Sequence, residues 1–350
     1  MTLRRCIVEF IYIRRLQAGL TRIPSDSYDN LFGYITSLQN AALWDDQHQA
    51  FIRRAKPVRV HSHNDFQHTL PLFEALGSGC ISVEADVHWA NVGQQGHDFY
   101  VGHTADSLRP DYRLGSLYLE PLRRLIETQN PDKGPHGRRR GIFDAAPEQT
   151  VVLLIDFKTP GWESLRALRA QLSPLRERGF LTYWNGTARV EGPLTIVVSG
   201  MIWRSTILDD SMENYGDVFL DADLSTLALE SYGEDYGSEP RPFTTYYNTS
   251  NSYLASTEYS KAKFGPYRDE YHDIYSIQLS DTERRDLCAS QFEQAKTRGL
   301  ITRYYDIVSE PPNVQEQAIR NLTEEGVGLL NMDDLGLVRD GISSWGLLRI

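Results

Sequence analysis

From Val58 to Leu335 the chain alternates short apolar runs with longer segments of helical periodicity, and this alternation restricts its fold more than any other feature. Strand candidates are Val58–His63, Cys80–Trp89, Phe99–His103, Val151–Lys158, Leu194–Gly200, Asp217–Ala222, Thr244–Tyr247, Leu300–Ile307 and Gly328–Met332. Helical patterns lie between them at Pro71–Leu76, Leu117–Thr128, Trp162–Arg178, Thr282–Arg298 and Val314–Glu325. Strands that are apolar on both sides need cover on both faces, which repeated strand–helix units of a parallel sheet provide. About eight such strands suit a closed (β/α)8 TIM barrel better than an open sheet. The expected class is therefore α/β, with one barrel domain over 57–340 behind an amphipathic helical N-terminal extension over 1–56. Two looser stretches, Asn130–Gln149 and Ser231–Asp273, are rich in Gly, Pro, Ser and Tyr and read as long loops near the barrel mouth.

Charge excludes one class of partner. Lys and Arg number 36 against 47 Asp and Glu, a formal charge of −11, which disfavours binding to a nucleic-acid backbone. The one compact basic run, Arg138-Arg139-Arg140, is short and reads as a solvated loop. Three cysteines, Cys6, Cys80 and Cys288, are odd in number and far apart, so they build neither a disulfide framework nor a CxxC metal site. The apolar stretch Cys6–Ile13 is interrupted by Glu9 and met by Arg14-Arg15, which fits neither a signal peptide nor a membrane span. An intracellular location is expected, while sequons beginning at Asn185, Asn248 and Asn321 keep secretion open.

The chemistry concentrates where polar residues end apolar strands, because barrel active sites form at that face. Four strand ends are loaded: His61-Ser62-His63-Asn64, Glu84-Ala85-Asp86, Gly102-His103 and Asp156-Phe157-Lys158-Thr159. Glu84 and Asp86 are two apart on a strand, so both carboxylates leave one face with Cα atoms roughly 6.5–7 Å apart. Like charges held that close repel unless a cation or proton intervenes. With Asp156 as a third oxygen donor, the set suits a hard divalent cation, Mg²⁺ or Ca²⁺. The competing reading is a buried ion network with Lys158 and arginines. His63 and His103 are candidates for general base and general acid, since imidazole titrates near neutral pH. Lys158 would hold an anionic substrate group as a point charge. A dication, two histidines and a lysine together suit cleavage of a phosphodiester.

In this order and spacing the four motifs resemble the phospholipase C-like phosphodiesterase superfamily, which includes glycerophosphodiester phosphodiesterases, phosphoinositide-specific phospholipases C and the sphingomyelinase D group. More closely, His61–Phe66, Ser82–His88 and Leu329–Leu335 resemble the fungal altered-inheritance-of-mitochondria protein 6 family. The resemblance implies a TIM barrel with His63 and His103 as the acid–base pair and Glu84, Asp86 and Asp156 as metal ligands. It also implies Asn64 as a metal-holding residue and Lys158 as a phosphate contact. The substrate would be a small phosphodiester, either a glycerophosphodiester or a phospholipid head group, with contact to a membrane surface open. The chain lacks the His-Arg-Gly and Glu-Asn-Thr signatures of glycerophosphodiesterases, so the substrate does not follow from the resemblance.

Two other readings compete. His61-Ser62-His63 is an HxH after a first strand, as in amidohydrolase-type metal barrels, but after His103 only His136 and His272 remain to complete such a site. A barrel that has kept its fold and lost turnover would serve as a binding module. Tyr232, Tyr236, Tyr246, Tyr247 and Tyr253 could form an amphipathic lip, though Tyr-rich loops are common without one. His68, His88, Trp203, Tyr304, Tyr305 and Asp306 lie near the expected mouth in sequence and read as lining or as core.

Overall fold

The structure, a computed structural model, describes residues 28–92, 96–131, 139–160, 162–202, 216–225, 227, 247–259, 264–268, 274–278, 281–307 and 312–341. Cys6, His136, Arg138, Trp203, Tyr232, Tyr236, Tyr246, His272 and most of the candidate strand Thr244–Tyr247 lie outside those residues. Thirteen strands are described: β1 Val58–Ser62, β2 Cys80–Asn91, β3 His97–Val101, β4 Val151–Phe157, β5 Tyr183–Trp184, β6 Arg189–Val190, β7 Leu194–Gly200, β8 Val218–Asp223, β9 Ser252–Glu258, β10 Phe264–Arg268, β11 Ile274–Gln278, β12 Ile301–Tyr305 and β13 Leu329–Met332. Eight of them pair in parallel in the order β1-β2-β4-β7-β8-β9-β12-β13, and β13 pairs back onto β1. The sheet closes on itself: this is the expected (β/α)8 barrel.

Closure explains the apolar strands. Val151, Leu153, Leu154 and Ile155 of β4, and Ile196, Val197 and Val198 of β7, are all fully buried, packed between the interior and the outer helices. Burying a side chain of this kind stabilises by about 1.5–3 kcal/mol. The outer layer includes Phe73–Gly77, Glu120–Gln129, Trp162–Gln171, Asp281–Thr297 and Pro312–Glu325. A π-helical turn, Gly115–Leu119, leads into Glu120–Gln129 and replaces the start expected at Leu117. Helices Tyr28–Phe32 and Asp46–Arg54 and the 3-10 turn Ala41–Trp44 between them, from the stretch expected as an extension, pack onto the barrel through Phe32, Ile52 and Leu43. Among the described residues no helix is long and apolar enough to cross a membrane.

One barrel strand escapes the sequence pattern. The sixth is β9, Ser252–Glu258, inside the stretch expected as loop, and Tyr247 is not in a strand. Its sequence, Ser-Tyr-Leu-Ala-Ser-Thr-Glu, is half polar because Ser256 faces the polar interior, where Arg303 donates to it. β3 forms an antiparallel hairpin with the far end of β2, as the sequence suggested.

The end of β7 shows how the backbone serves the acids. Gly200 sits at φ 74°, and a Cβ there would stand 2.4 Å from the carbonyl oxygen of Phe157 and 2.6 Å from Asp156 Oδ1. Only glycine adopts this conformation cheaply and lets the strand pass so close to Asp156. Gly200→Ala is expected to lower unfolding free energy by about 1–3 kcal/mol. Urea denaturation followed by circular dichroism measures it, and an unchanged midpoint would reject the account.

Candidate active site

Register decides which side chains meet. β2 and β4 pair with Glu84 opposite Leu154 and Asp86 opposite Asp156, so three acids two residues apart or directly paired face one end of the barrel. One carboxylate oxygen from each of Glu84, Asp86 and Asp156 lies within 4.8 Å of the other two. Asp86 is almost wholly buried, and its Oδ1 has no hydrogen-bond partner among the described residues. A buried acceptor without a donor is costly, so this oxygen is placed to take a further donor or a cation. Opposite oxygens around Mg²⁺ stand about 4.2 Å apart and around Ca²⁺ about 5 Å, given bonds of about 2.0–2.1 and 2.3–2.6 Å. Only one pair among three ligands can stand opposite, so oxygens within 4.8 Å of one another would draw closer together around such a cation.

The ion network weighed as the competing reading is present too. Lys158 Nζ lies 2.5 Å from Asp156 Oδ2 and 3.2 Å from Asp86 Oδ2. Ser199 donates to Asp156 Oδ1 at 2.6 Å. With Arg303 3.8 Å from Glu84 and shared with Asp221, two fixed cations face four carboxylates, so the two readings are compatible. Burial and the charge of Glu84 push the Asp86 pKa up, against the pull of His103 and Lys158. Burial lowers the Lys158 pKa, but Asp156 and Asp86 outweigh it and the net shift is upward.

Glu84 is held differently. His61 is fully buried, with Nδ1 2.7 Å from Ser82 Oγ and Nε2 3.2 Å from Glu84 Oε2. Burial and the nearby Arg303 cation press its pKa down to about 4, so the ring is neutral at pH 7. The Glu84 carboxylate accepts only, so Nε2–H donates to it and Nδ1 accepts from Ser82. Burial works against ionisation of Glu84, yet His61 and Arg303 overcome it and hold its pKa far below the usual carboxylate range. His61 is thus a support for Glu84, and the HxH pattern does not form a metal pair here.

The two candidate proton carriers share one design. His63 Nδ1 lies 2.7 Å from Asp333 Oδ1, and His103 Nδ1 lies 2.7 Å from Asp86 Oδ2. Each carboxylate fixes Nδ1 as the protonated nitrogen, and His63 Nε2 lies 3.4 Å from Asn64 Nδ2 and 3.7 Å from Glu84 Oε2. The His63 side chain is 19% exposed and that of His103 is 61% exposed. Burial lowers the His63 pKa, but the bond to Asp333 and the charges of Glu84 and Asp333 raise it overall. Asn64 adopts the left-handed conformation (φ 48°), with Nδ2 3.3 Å from His63 Nδ1 and its backbone N–H 3.5 Å from Glu84 Oε2.

Loop geometry behind His63 comes from Asp65. Fully buried, it accepts from Ser62 Oγ (2.8 Å), the Leu72 N–H (2.6 Å) and Tyr118 Oη (3.0 Å). Tyr118, carried by the π-helical turn, also reaches the Glu84 carbonyl at 3.4 Å. Single π turns inside helices often occur at functional sites.

Asp333, Asp65, Tyr118, Ser199 and Arg303 were not singled out from sequence, although Asp333 lies in the Leu329–Leu335 segment that carried the resemblance. A polar residue directly after the last strand was the available signal. Other expectations sort simply. Tyr304 is core, its hydroxyl 2.5 Å from Gln291 Oε1, and Tyr247 is buried. His88 is buried with Nε2 unpartnered among the described residues, and His97 stacks at a tilt near Trp89.

Comparison with known proteins matches residues 49–221 to the AIM6-like phosphodiesterase domain. The altered inheritance of mitochondria protein 6 homolog of Arthroderma benhamiae is 30% identical over 294 residues, 81% of this chain and 83% of that protein. Altered inheritance of mitochondria protein 6 of Eremothecium gossypii is 31% identical over 311 residues, 83% of this chain and 71% of its own. This chain belongs to the altered inheritance of mitochondria protein 6 family. The Saccharomyces cerevisiae family member is 30% identical over 295 residues, 80% of this chain and 69% of its own. Among solved structures, a glycerophosphoryl diester phosphodiesterase from Parabacteroides distasonis is similar at TM-score 0.41 and 13% identity, over 85% of this chain and 90% of that one. Phosphatidylinositol-specific phospholipase C from Listeria monocytogenes is similar at TM-score 0.40 and 11% identity, over 83% and 94%.

The raised His63 pKa gives a signed expectation for this family member. Asp333→Asn removes the negative charge that favours the imidazolium and leaves burial, which disfavours it. The His63 midpoint should therefore fall, measured by NMR titration of the imidazole resonances with EDTA present. A midpoint that stays put would show that Asp333 does not set it.

Proposed function

We propose that the protein is a divalent-cation-dependent phosphodiesterase that cleaves a small phosphodiester or phospholipid head group at the barrel mouth. The observation that carries this is the grouping of three acids, one with a buried oxygen unpartnered among the described residues, beside two histidines whose Nδ1 atoms are each held by an aspartate. The match to a phosphodiesterase domain over residues 49–221 supports the same class of reaction.

Glu84, Asp86 and Asp156 would hold the cation, Mg²⁺ or Ca²⁺, with Asn64 Oδ1 as a neutral fourth oxygen. A cation bound there would offset charge developing on the phosphoryl oxygens. His63 Nε2 takes the proton of the attacking oxygen, either a neighbouring hydroxyl of the substrate or water. Asp333 keeps the ring oriented and stabilises the imidazolium that forms. His103, oriented by Asp86, delivers a proton from Nε2 to the leaving oxygen, and its greater exposure suits exchange with solvent afterwards. Lys158 contributes a compact positive charge to a non-bridging phosphoryl oxygen. The net reaction consumes one P–O ester bond and makes either a cyclic phosphate or, with water, a phosphomonoester.

Phosphorus NMR of products across aryl phosphodiesters, glycerophosphodiesters and phospholipid vesicles tests this directly. His63→Ala and His103→Ala should each slow turnover about 10²–10⁴-fold, the usual contribution of a positioned acid or base. Full turnover by His63→Ala would overturn the assigned base. EDTA should abolish activity and Mg²⁺ or Ca²⁺ should restore it in the wild type and not in an Asp86→Asn variant. A protein that binds the cation and the panel yet turns over none of it would instead be a binding module.

A further inference from the structure

Arg303, in the middle of β12, is only 4% exposed, although nothing on its own strand calls for a cation there. Its fork reaches three other strands. Nε donates to Ser256 Oγ on β9 at 3.0 Å, Nη1 to Asn331 Oδ1 on β13 at 2.9 Å and Nη2 to Asp221 Oδ2 on β8 at 3.3 Å. Nη1 also stands 3.8 Å from Glu84 Oε2 on the far side of the barrel. The contacts from His61, the Asn64 N–H and Arg303 all fall on that one oxygen of Glu84.

We propose that Arg303 is a positioning residue whose planar fork, braced by Asp221, Ser256 and Asn331, holds Glu84 Oε2 and so aims Oε1 at a divalent cation. This rests on the cation site proposed above. Extra positive charge beside a metal ligand would by itself weaken cation binding, but Asp221 lies in contact and offsets it. What Arg303 supplies is therefore orientation. A buried ion cluster of this kind gains little stability over a well-packed apolar one, which points to another reason for keeping it. Lysine cannot replace it, because one ammonium on a flexible stem cannot meet three acceptors on three strands and also approach Glu84.

Isothermal titration of the whole chain with MgCl₂ and with CaCl₂ tests this. The comparison is between wild type, Arg303→Lys, the pair Arg303→Met/Asp221→Asn, and Glu84→Gln, with thermal melts in EDTA to establish folding. Arg303→Lys keeps the charge and loses the fork, and it should bind the cation about 10–100-fold more weakly, the usual cost of removing a ligand's support. The double variant removes one charge of each sign, so it should show the same loss and remains available if the lysine variant does not fold. In turnover, the cation concentration for half activation should rise while KM for the phosphodiester stays near the wild-type value. Wild-type cation affinity in either folded variant would overturn the positioning role alone. A wild type that takes up neither cation, or a Glu84→Gln variant that binds as the wild type does, would overturn the cation site and this inference with it.

Discussion

Repulsion among Glu84, Asp86 and Asp156 is the constraint that the rest of the barrel mouth answers. The parallel register of β2 and β4 fixes the three acids close together in a partly desolvated site, and nothing in the backbone can relieve that. The neighbours respond one acid at a time. Glu84 is kept ionised by the neutral ring of His61 and by Arg303, Asp86 meets His103 and Lys158, and Asp156 meets Lys158 and Ser199. Each response is partial, as the orphaned Asp86 Oδ1 shows. An arrangement built only for stability would have replaced these groups with apolar ones, since buried ion clusters rarely outperform tight packing.

The two histidines differ in their surroundings. Both have Nδ1 tied to an aspartate, yet one ring is mostly enclosed and the other mostly open. In the proposed reaction the raised pKa of His63 would make it the stronger base once it is neutral. In that reaction His103, open to water, would regain its proton between cycles. The loop that carries His63 holds a non-glycine residue, Asn64, in the left-handed region, and Leu72 follows at φ 66°. Strain of this sort persists only where surrounding bonds over-determine it, and the three hydrogen bonds to Asp65 supply that.

Much of this was legible in the sequence, for definite reasons. Apolar strands with helical patterns between them predict a closed parallel barrel, and a two-residue spacing places Glu84 and Asp86 on one face wherever the strand goes. Asp156 joins them because strand ends in a parallel barrel lie at one level. The illegible parts depend on closure. Asp333 meets His63 across 270 positions of chain because β13 pairs with β1, and no local pattern reports such a partner. Arg303 reads as an interruption in a strand until Asp221, Ser256 and Asn331 are brought around it. β9 was hidden for the converse reason, since Ser256 and Glu258 break the apolar run that identifies a barrel strand.

Where the family match ends bears on how such a site evolves. The matched phosphodiesterase domain, residues 49–221, contains His63, Asn64, Glu84, Asp86, His103, Asp156 and Lys158, and stops at Asp221 on the fifth barrel strand. Arg303, Asn331 and Asp333 all lie beyond it, while relatives at about 30% identity align across some 80% of the chain. The first half thus carries the groups that would touch metal and phosphate together with the supports His61, Asp65 and Ser199, and the second half adds Arg303, Asn331 and Asp333. A half-barrel could not hold this chemistry, because Glu84 would lose Arg303, His63 would lose Asp333, and β1 would be left as an open edge. Substitutions in the later strands can therefore alter how Glu84 and His63 are held without touching Glu84, Asp86, Asp156 or either histidine.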